Sequence, residues 1–316
     1  MNAQPMHVAI DTCLRAPTDV PARASVAQWW PRWRDGAVRA PDSAAMALLG
    51  GFDADRVGWA FAAGYQAALR ALLPTLPADA MAAFCVTEEG GNRPRDIATR
   101  FSPAPGGGWT IHGAKRWTTL GPASNLLLVV GALPAEAADT RVQLRVARVP
   151  VGTPGLQLLP MPETRFVPEV PHARVQLDAV EVDADALLPG DGYQGYVKPF
   201  RTLEDAHVTL AVLAYLLREA RQRGWPTSLA ERLCATMAVL CDLAGAPADA
   251  ASTHVVLAGA LAQAHALYAE AGTLWAAAGD DPAALRWQRD AALFGVAGSA
   301  RSQRTARAWE RLQAGT

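Results

Sequence analysis

Charge is scarce in this chain and nearly balanced: 19% of its 316 residues are charged, 51% are hydrophobic, and the formal net charge is −1. A surface that tracks nucleic-acid phosphates needs clustered Lys and Arg, so no nucleic-acid partner is expected. Cysteine is also sparse. Cys13, Cys85, Cys234 and Cys241 form no Cys-x-x-Cys pair, and no His/Cys grouping has zinc-site spacing. Reduced, mostly buried thiols and no metal are expected. His207, His254 and His265 fall within helical patterns and read as packing or surface residues. No apolar run approaches the roughly 20 residues that span a bilayer, and no basic flank leads into an apolar N-terminal core. No membrane association and a cytoplasmic location are therefore expected. Internal repeats and low-complexity tracts are likewise missing, while the length predicts two or three domains around a sizeable core.

What the chain does have is one stretch rich in β and turn signals, from Phe84 to Gly131. Phe84-Cys85-Val86 reads as a buried strand that runs into the polar turn Thr87-Glu88-Glu89-Gly90-Gly91-Asn92. Such a turn offers backbone N–H groups and a hydroxyl to a ligand. Ile97 to Phe101 reads as a second strand, Gly106-Gly107-Gly108 as a hairpin tip, and Trp109 to Gly113 as the return strand. Lys115 to Thr119 and the apolar run Leu126 to Val130 follow, in the manner of a β-meander. Alternation returns over Val142 to Val149 and over Ala173 to Val182.

This stretch resembles the middle domain of the acyl-CoA dehydrogenase family. Phe84-Cys85-Val86-Thr87-Glu88 matches the family's aromatic-x-V/L-T-E turn, and His112-Gly113-Ala114-Lys115-Arg116-Trp117-Thr118-Thr119-Leu120-Gly121 matches its N-G-x-K-x-W-I-T-N-G strand, in order and at nearly the family's spacing. Leu187-Leu188-Pro189-Gly190-Asp191-Gly192 resembles its L-L-G-x-x-G segment. The resemblance implies an α+β fold: an N-terminal helical domain over 1–82, a central antiparallel β-barrel-like domain over 83–195, and a C-terminal four-helix bundle over 196–316.

The flanking sequence suits that plan. Residues 1 to about 20 lack periodicity and read as an irregular arm. Trp29, Trp30 and Trp33 cluster for packing against the following helices. Pro41-Asp42-Ser43 opens a short helix that Gly50-Gly51 would close, and Asp53 is a possible N-cap for a helix from Arg56 to Leu73. Further helices are expected over 201–223, from Thr227 or Ser228 to Gly245, over 251–278, and from Asp281-Pro282 as the last.

By the same resemblance the chain is an FAD flavoprotein that removes α,β hydrogens from an acyl thioester of coenzyme A or a carrier protein. Phe84, Val86, Thr87, Trp117, Thr118 and Thr119 would approach the flavin ring, with Thr119 near N5. Asn92 or Arg93 stands where the family has a phosphate-holding serine, and Arg223 is the counterpart of its pyrophosphate arginine. The common C-terminal glutamate position falls near Gly298. Glu204, on the first C-terminal helix, takes the place of the alternative family base; a second reading is that Thr202 caps that helix and Glu204 and Asp205 merely serve its dipole. The family's Gln-x-x-Gly-Gly motif is not visible between Ala266 and Asp290. A homodimer or homotetramer is implied, with the electron acceptor open. The other reading is a catalytically silent or repurposed homologue that binds a partner.

Overall fold

The computed structural model describes residues 5–134 and 142–315. They form two compact units. One is helical, drawn from residues up to 78, from 164–169 and from 200 onward; the other, drawn from 79–163 and 170–199, holds the sheet.

Among the described residues the β unit has seven strands: β1 (Ala82–Cys85), β2 (Arg100–Pro103), β3 (Trp109–Thr119), β4 (Leu126–Ala132), β5 (Leu144–Pro150), β6 (Leu156–Pro160) and β7 (His172–Val182). Their order is β1-β4-β2-β3-β7-β6, with β5 added to β4. Gly106-Gly107-Gly108 turns the β2–β3 hairpin as expected, and Gly107 and Gly108 both take positive φ there. The sheet nevertheless departs from a meander, because β1 runs parallel to β4, with Phe84 opposite Leu128. Both strands are apolar almost throughout, the pattern of strands covered on both faces. β2 begins at Arg100 instead of Ile97, since a 3₁₀ turn over Pro94–Asp96 precedes it and Ala98 and Thr99 turn their amides toward Glu88. Phe101, Ile111, Leu127, Val129, Val149, Val175 and Val180 fill the core of this unit. Arg141 lies outside the described residues.

The helical unit contains α1 (Pro5–Arg15), α2 (Val26–Arg39), α3 (Ser43–Phe52), α4 (Val57–Leu72), α5 (Lys198–Arg223), α6 (Thr227–Gly245), α7 (Ala251–Ala276), α8 (Pro282–Asp290) and α9 (Gly298–Gln313). Of the irregular arm expected over residues 1 to about 20, Pro5–Arg15 is in fact helical and residues 16–20 are irregular; residues 1–4 lie outside the described residues. A tertiary contact stabilises α1: the Arg221 guanidinium on α5 donates to the carbonyls of Cys13 (2.5 Å) and Ala16 (2.8 Å), which have no partner further along the helix. Trp29 stacks on Trp59 of α4 at 5.6 Å, so the tryptophan cluster packs as anticipated.

Two expectations about caps are corrected. Gly50 and Gly51 lie inside α3: Gly50 leaves room for the Trp33 ring of α2 and for Ala63 of α4, and Gly51 for α5, since a Cβ on Gly51 would stand 2.1 Å from the Ala211 carbonyl oxygen. Gly64 of α4 has the same role toward α5, since a Cβ there would stand 2.5 Å from Val208 Cα. Asp53 ends α3 instead of capping α4, and its carboxylate takes Arg23 at 2.8 Å. At α8 the expected cap is present, Asp281 accepting from the Ala283 amide at 2.7 Å. Helix α9 is an addition to the four expected. A 3₁₀ turn over Ala291–Gly295 and a left-handed Ala297 (φ 64°) separate it from α8.

Candidate functional site

The turn after β1 is held by a buried charge pair. Glu88 Oε1 accepts from Lys115 Nζ at 2.6 Å, from the Thr99 hydroxyl at 2.7 Å and from the Thr99 amide at 3.1 Å; Oε2 accepts from the Ala98 amide at 2.6 Å. Lys115 is 1% exposed. Burial pushes the Glu88 carboxyl up, but the Lys115 charge and these hydrogen bonds outweigh it and hold the group below its ordinary value. Gly113 makes room for the network: it has φ 154°, and a Cβ there would stand 2.4 Å from Thr99 Oγ1. Two pairs of motif residues, Thr87-Glu88 and Gly113…Lys115, are therefore joined through a shared polar core that the sequence motifs alone do not single out. A signal for it exists in the sequence, since Glu88 and Lys115 are both charged residues within otherwise strand-like motifs.

That core sets the two candidate ring-binding segments side by side. The Arg116 amide donates to the Thr87 carbonyl at 2.8 Å, and Arg116 also pairs with Glu89. Between Lys115 and Thr118 the β3–β7 register slips, and Trp117 takes φ 57°. For a bulky side chain this backbone is an outlier of the sort concentrated at functional sites. The bulge turns the indole outward, 45% exposed, with its edge on His172 at 6.0 Å. Thr118 points the other way, buried against Cys85 Sγ at 3.7 Å, and Thr119 Oγ1 lies 3.5 Å from His172 Nε2. Phe84 is buried, whereas Val86 and Thr87 are half-buried. Asn92 is exposed at the far end of the turn, where Asp96 braces the chain by accepting the Arg93 amide at 3.2 Å.

Glu204 belongs to the helical unit. Helix α5 starts at Lys198, so Thr202 is an interior residue 3.4 Å from His254 Nε2 and caps nothing; Glu204 lies in the second turn, beyond a first-turn dipole role. Asp205 is neutralised by Arg301 and Arg304 of α9, each at 2.7 Å. Glu204 takes neither arginine. Burial pushes its carboxyl up to about 7, the Asp205 carboxylate adds to this, and Arg301 and Arg201 oppose it. Gly298 opens α9. Arg223 is committed within the helical unit, to Glu219 at 2.7 Å and to Asp281. Among the described residues no group of three His, Cys, Asp or Glu side chains could hold a metal ion, and no helix is long and apolar enough to cross a membrane.

Residues 83–180 match the sequence profile of the family described as "Acyl-CoA dehydrogenase, middle domain". The whole chain superposes on solved structures of low identity. PigA with FAD and proline has a TM-score of 0.70 at 13% identity, covering 97% of this chain and 98% of that one. Butyryl-CoA dehydrogenase from Megasphaera elsdenii has 0.68 at 16%, covering 98% and 100%. A glutaryl-CoA dehydrogenase from Mycobacterium smegmatis in complex with FADH2 has 0.66 at 16%, covering 100% and 96%. The chain thus has the α+β fold of those structures, and its residues 83–180 form a middle domain of the acyl-CoA dehydrogenase type. No curated protein matches it.

Proposed function

We propose that this protein is an FAD-dependent oxidoreductase that desaturates an acyl thioester between Cα and Cβ, with Glu204 as the base for the α-proton. The observation that carries the proposal is Glu204 itself: a carboxyl raised to about 7, beside arginines that bind its neighbour and leave it free to exchange a proton near neutrality. The outward Trp117 on its bulge and the half-buried Thr87 suit a flat ring, and Phe84, Val86, Thr118 and Thr119 would complete its surroundings. When bound, FAD supplies the hydride acceptor. The residues of the chain would orient it and deprotonate the substrate. Asn92 is the candidate for a phosphate contact at the turn, and the substrate carrier would be coenzyme A or a carrier protein. A homodimer or homotetramer in the cytoplasm completes the reading.

A second reading, a silent or repurposed homologue, is favoured by one observation: Arg223, the candidate pyrophosphate ligand, is occupied by two carboxylates. A visible spectrum separates the two readings. Protein purified without added cofactor and then titrated with FAD is expected to show flavin bands at one per chain. Colourless protein with no titratable binding would sink the first reading in favour of the second.

A further inference from the structure

Apart from the flavin-type site, the helical unit brings together a serine, a histidine, two amides and a cavity. Ser43 is the first residue of α3 and is only partly buried; His207 of α5 is fully buried. His207 Nδ1 lies 2.7 Å from the Leu203 carbonyl oxygen, which can only accept, so Nδ1 carries the proton. Nε2 is then the acceptor, and it lies 2.9 Å from Ser43 Oγ. The serine proton therefore points at an imidazole lone pair, and the imidazole is oriented by a third group. Burial pushes His207 down to about 4, which keeps this lone pair available at neutral pH.

The first turn of α3 adds donors. Asp42 accepts the Ala45 amide at 2.8 Å and its carbonyl accepts the Met46 amide at 3.0 Å. Those of Ser43 and Ala44 have no partner among the described residues. Ser43 also lines an open cavity of about 460 Å³ whose other walls include Val38, Met46, Ala71 and Leu76 and, at its polar side, Asp42 and Arg70. Mostly apolar pockets of this size with a few polar groups hold small ligands. Nucleophile, base, orienting group, amide donors and pocket are the parts that acyl transfer to serine requires.

We infer that Ser43 is a nucleophile toward small acyl esters, with His207 as its base and the Ser43 and Ala44 amides as donors to the oxyanion. In acylation the Oγ–carbon bond forms as the Oγ proton passes to His207 Nε2. The carbonyl electrons move onto oxygen, facing the two amides, and their return breaks the bond to the leaving alkoxide or phenolate. The imidazolium proton follows the leaving group, through solvent where that group cannot reach it. Water then attacks the acyl-serine, releasing a carboxylic acid and restoring Ser43. This activity would operate with or without flavin.

The test uses the full-length protein, a fluorophosphonate probe and 4-nitrophenyl acetate. Intact mass and peptide mapping are expected to place one phosphonyl group on Ser43, with fluoride lost. Ser43→Ala should abolish labelling and the nitrophenolate burst, and His207→Gln should slow both by about 10²-fold to 10⁴-fold. Labelling elsewhere, or a wild-type protein left unlabelled, would overturn the inference and leave Ser43 as a tie between α3 and α5. Because the wild-type map decides between these outcomes, the test does not depend on His207→Gln folding.

Discussion

Glu204→Gln is expected to be more stable than the wild type above pH 7 and to lose two to four orders of magnitude in the rate at which an acyl thioester reduces the bound flavin. Both effects come from one desolvated carboxylate. The folded-state pKa is raised from the ordinary 4.5 to about 7. Stability from this group is therefore fully present below pH 4.5, falls as pH rises through that window, and levels off above 7. The penalty at the plateau is on the order of 3 kcal/mol, since every tenfold change in proton affinity corresponds to about 1.4 kcal/mol. Glutamine carries no charge to desolvate, so the variant should lack this slope. Urea unfolding of both proteins at pH 5 and pH 8 measures the stability arm, and anaerobic bleaching of the flavin measures the rate. Equal stabilities at pH 8 would refute the desolvation, and an unchanged bleaching rate would remove Glu204 from the chemistry. The stability arm also works without a substrate, so it remains informative whatever the acyl group.

The buried pair in the β unit should give the largest losses of stability. Lys115→Met leaves the Glu88 carboxylate buried without its counter-charge, at a cost of about 3–5 kcal/mol. Glu88→Leu should cost more, because it strands the Lys115 ammonium, the Ala98 and Thr99 amides and the Thr99 hydroxyl together. The pH dependence should also change. In the wild type the lowered pKa of Glu88 means that its contribution is present above the ordinary carboxylate value and is lost as pH falls through the lower folded value. Without Lys115, burial acts against fewer opposing interactions, the folded pKa rises, and acidification relieves the variant where it would weaken the wild type. Chemical denaturation across pH 2 to 8 reads both the ranking and the slope. If Glu88→Leu were the milder change, the network would not hold the turn.

Local signals in the sequence are legible where they decide the structure. Asp281-Pro282 predicts the start of α8 because cap and fixed φ act within one turn. The hairpin at Gly106-Gly107-Gly108 follows from positive φ, and the alternation over Ala173 to Val182 marks a strand with one covered face. Sequence signals fail where a distant residue decides. Helix α1 depends on Arg221, some two hundred positions away, and Gly51 looks like a cap until Ala211 is seen against it. Parallel pairing of β1 with β4 leaves no mark that a meander would not also leave. Among the candidate site residues of the two units, the residue types at Thr87, Trp117 and Glu204 can be read directly, and the sequence pattern places Glu204 on α5. The left-handed backbone of Trp117 and the pairing of Asp205 with α9 cannot, because one needs the β7 register and the other a helix whose pattern merges with its neighbour's in the sequence.

The helical unit is discontinuous along the chain, and this sets an order on synthesis. Helices α1 to α4 are made before α5 and α6, yet the surfaces they cover belong to those later helices: Ala211 against Gly51, Val208 against Gly64, and Arg221 at the end of α1. Between the two halves comes the whole β unit, whose strands pair among themselves and whose core residues all precede α5. The nascent chain must therefore carry the tryptophan-rich N-terminal helices without their partners while more than a hundred residues of sheet are made. Helices made before the sheet are thus among the last to reach their final packing.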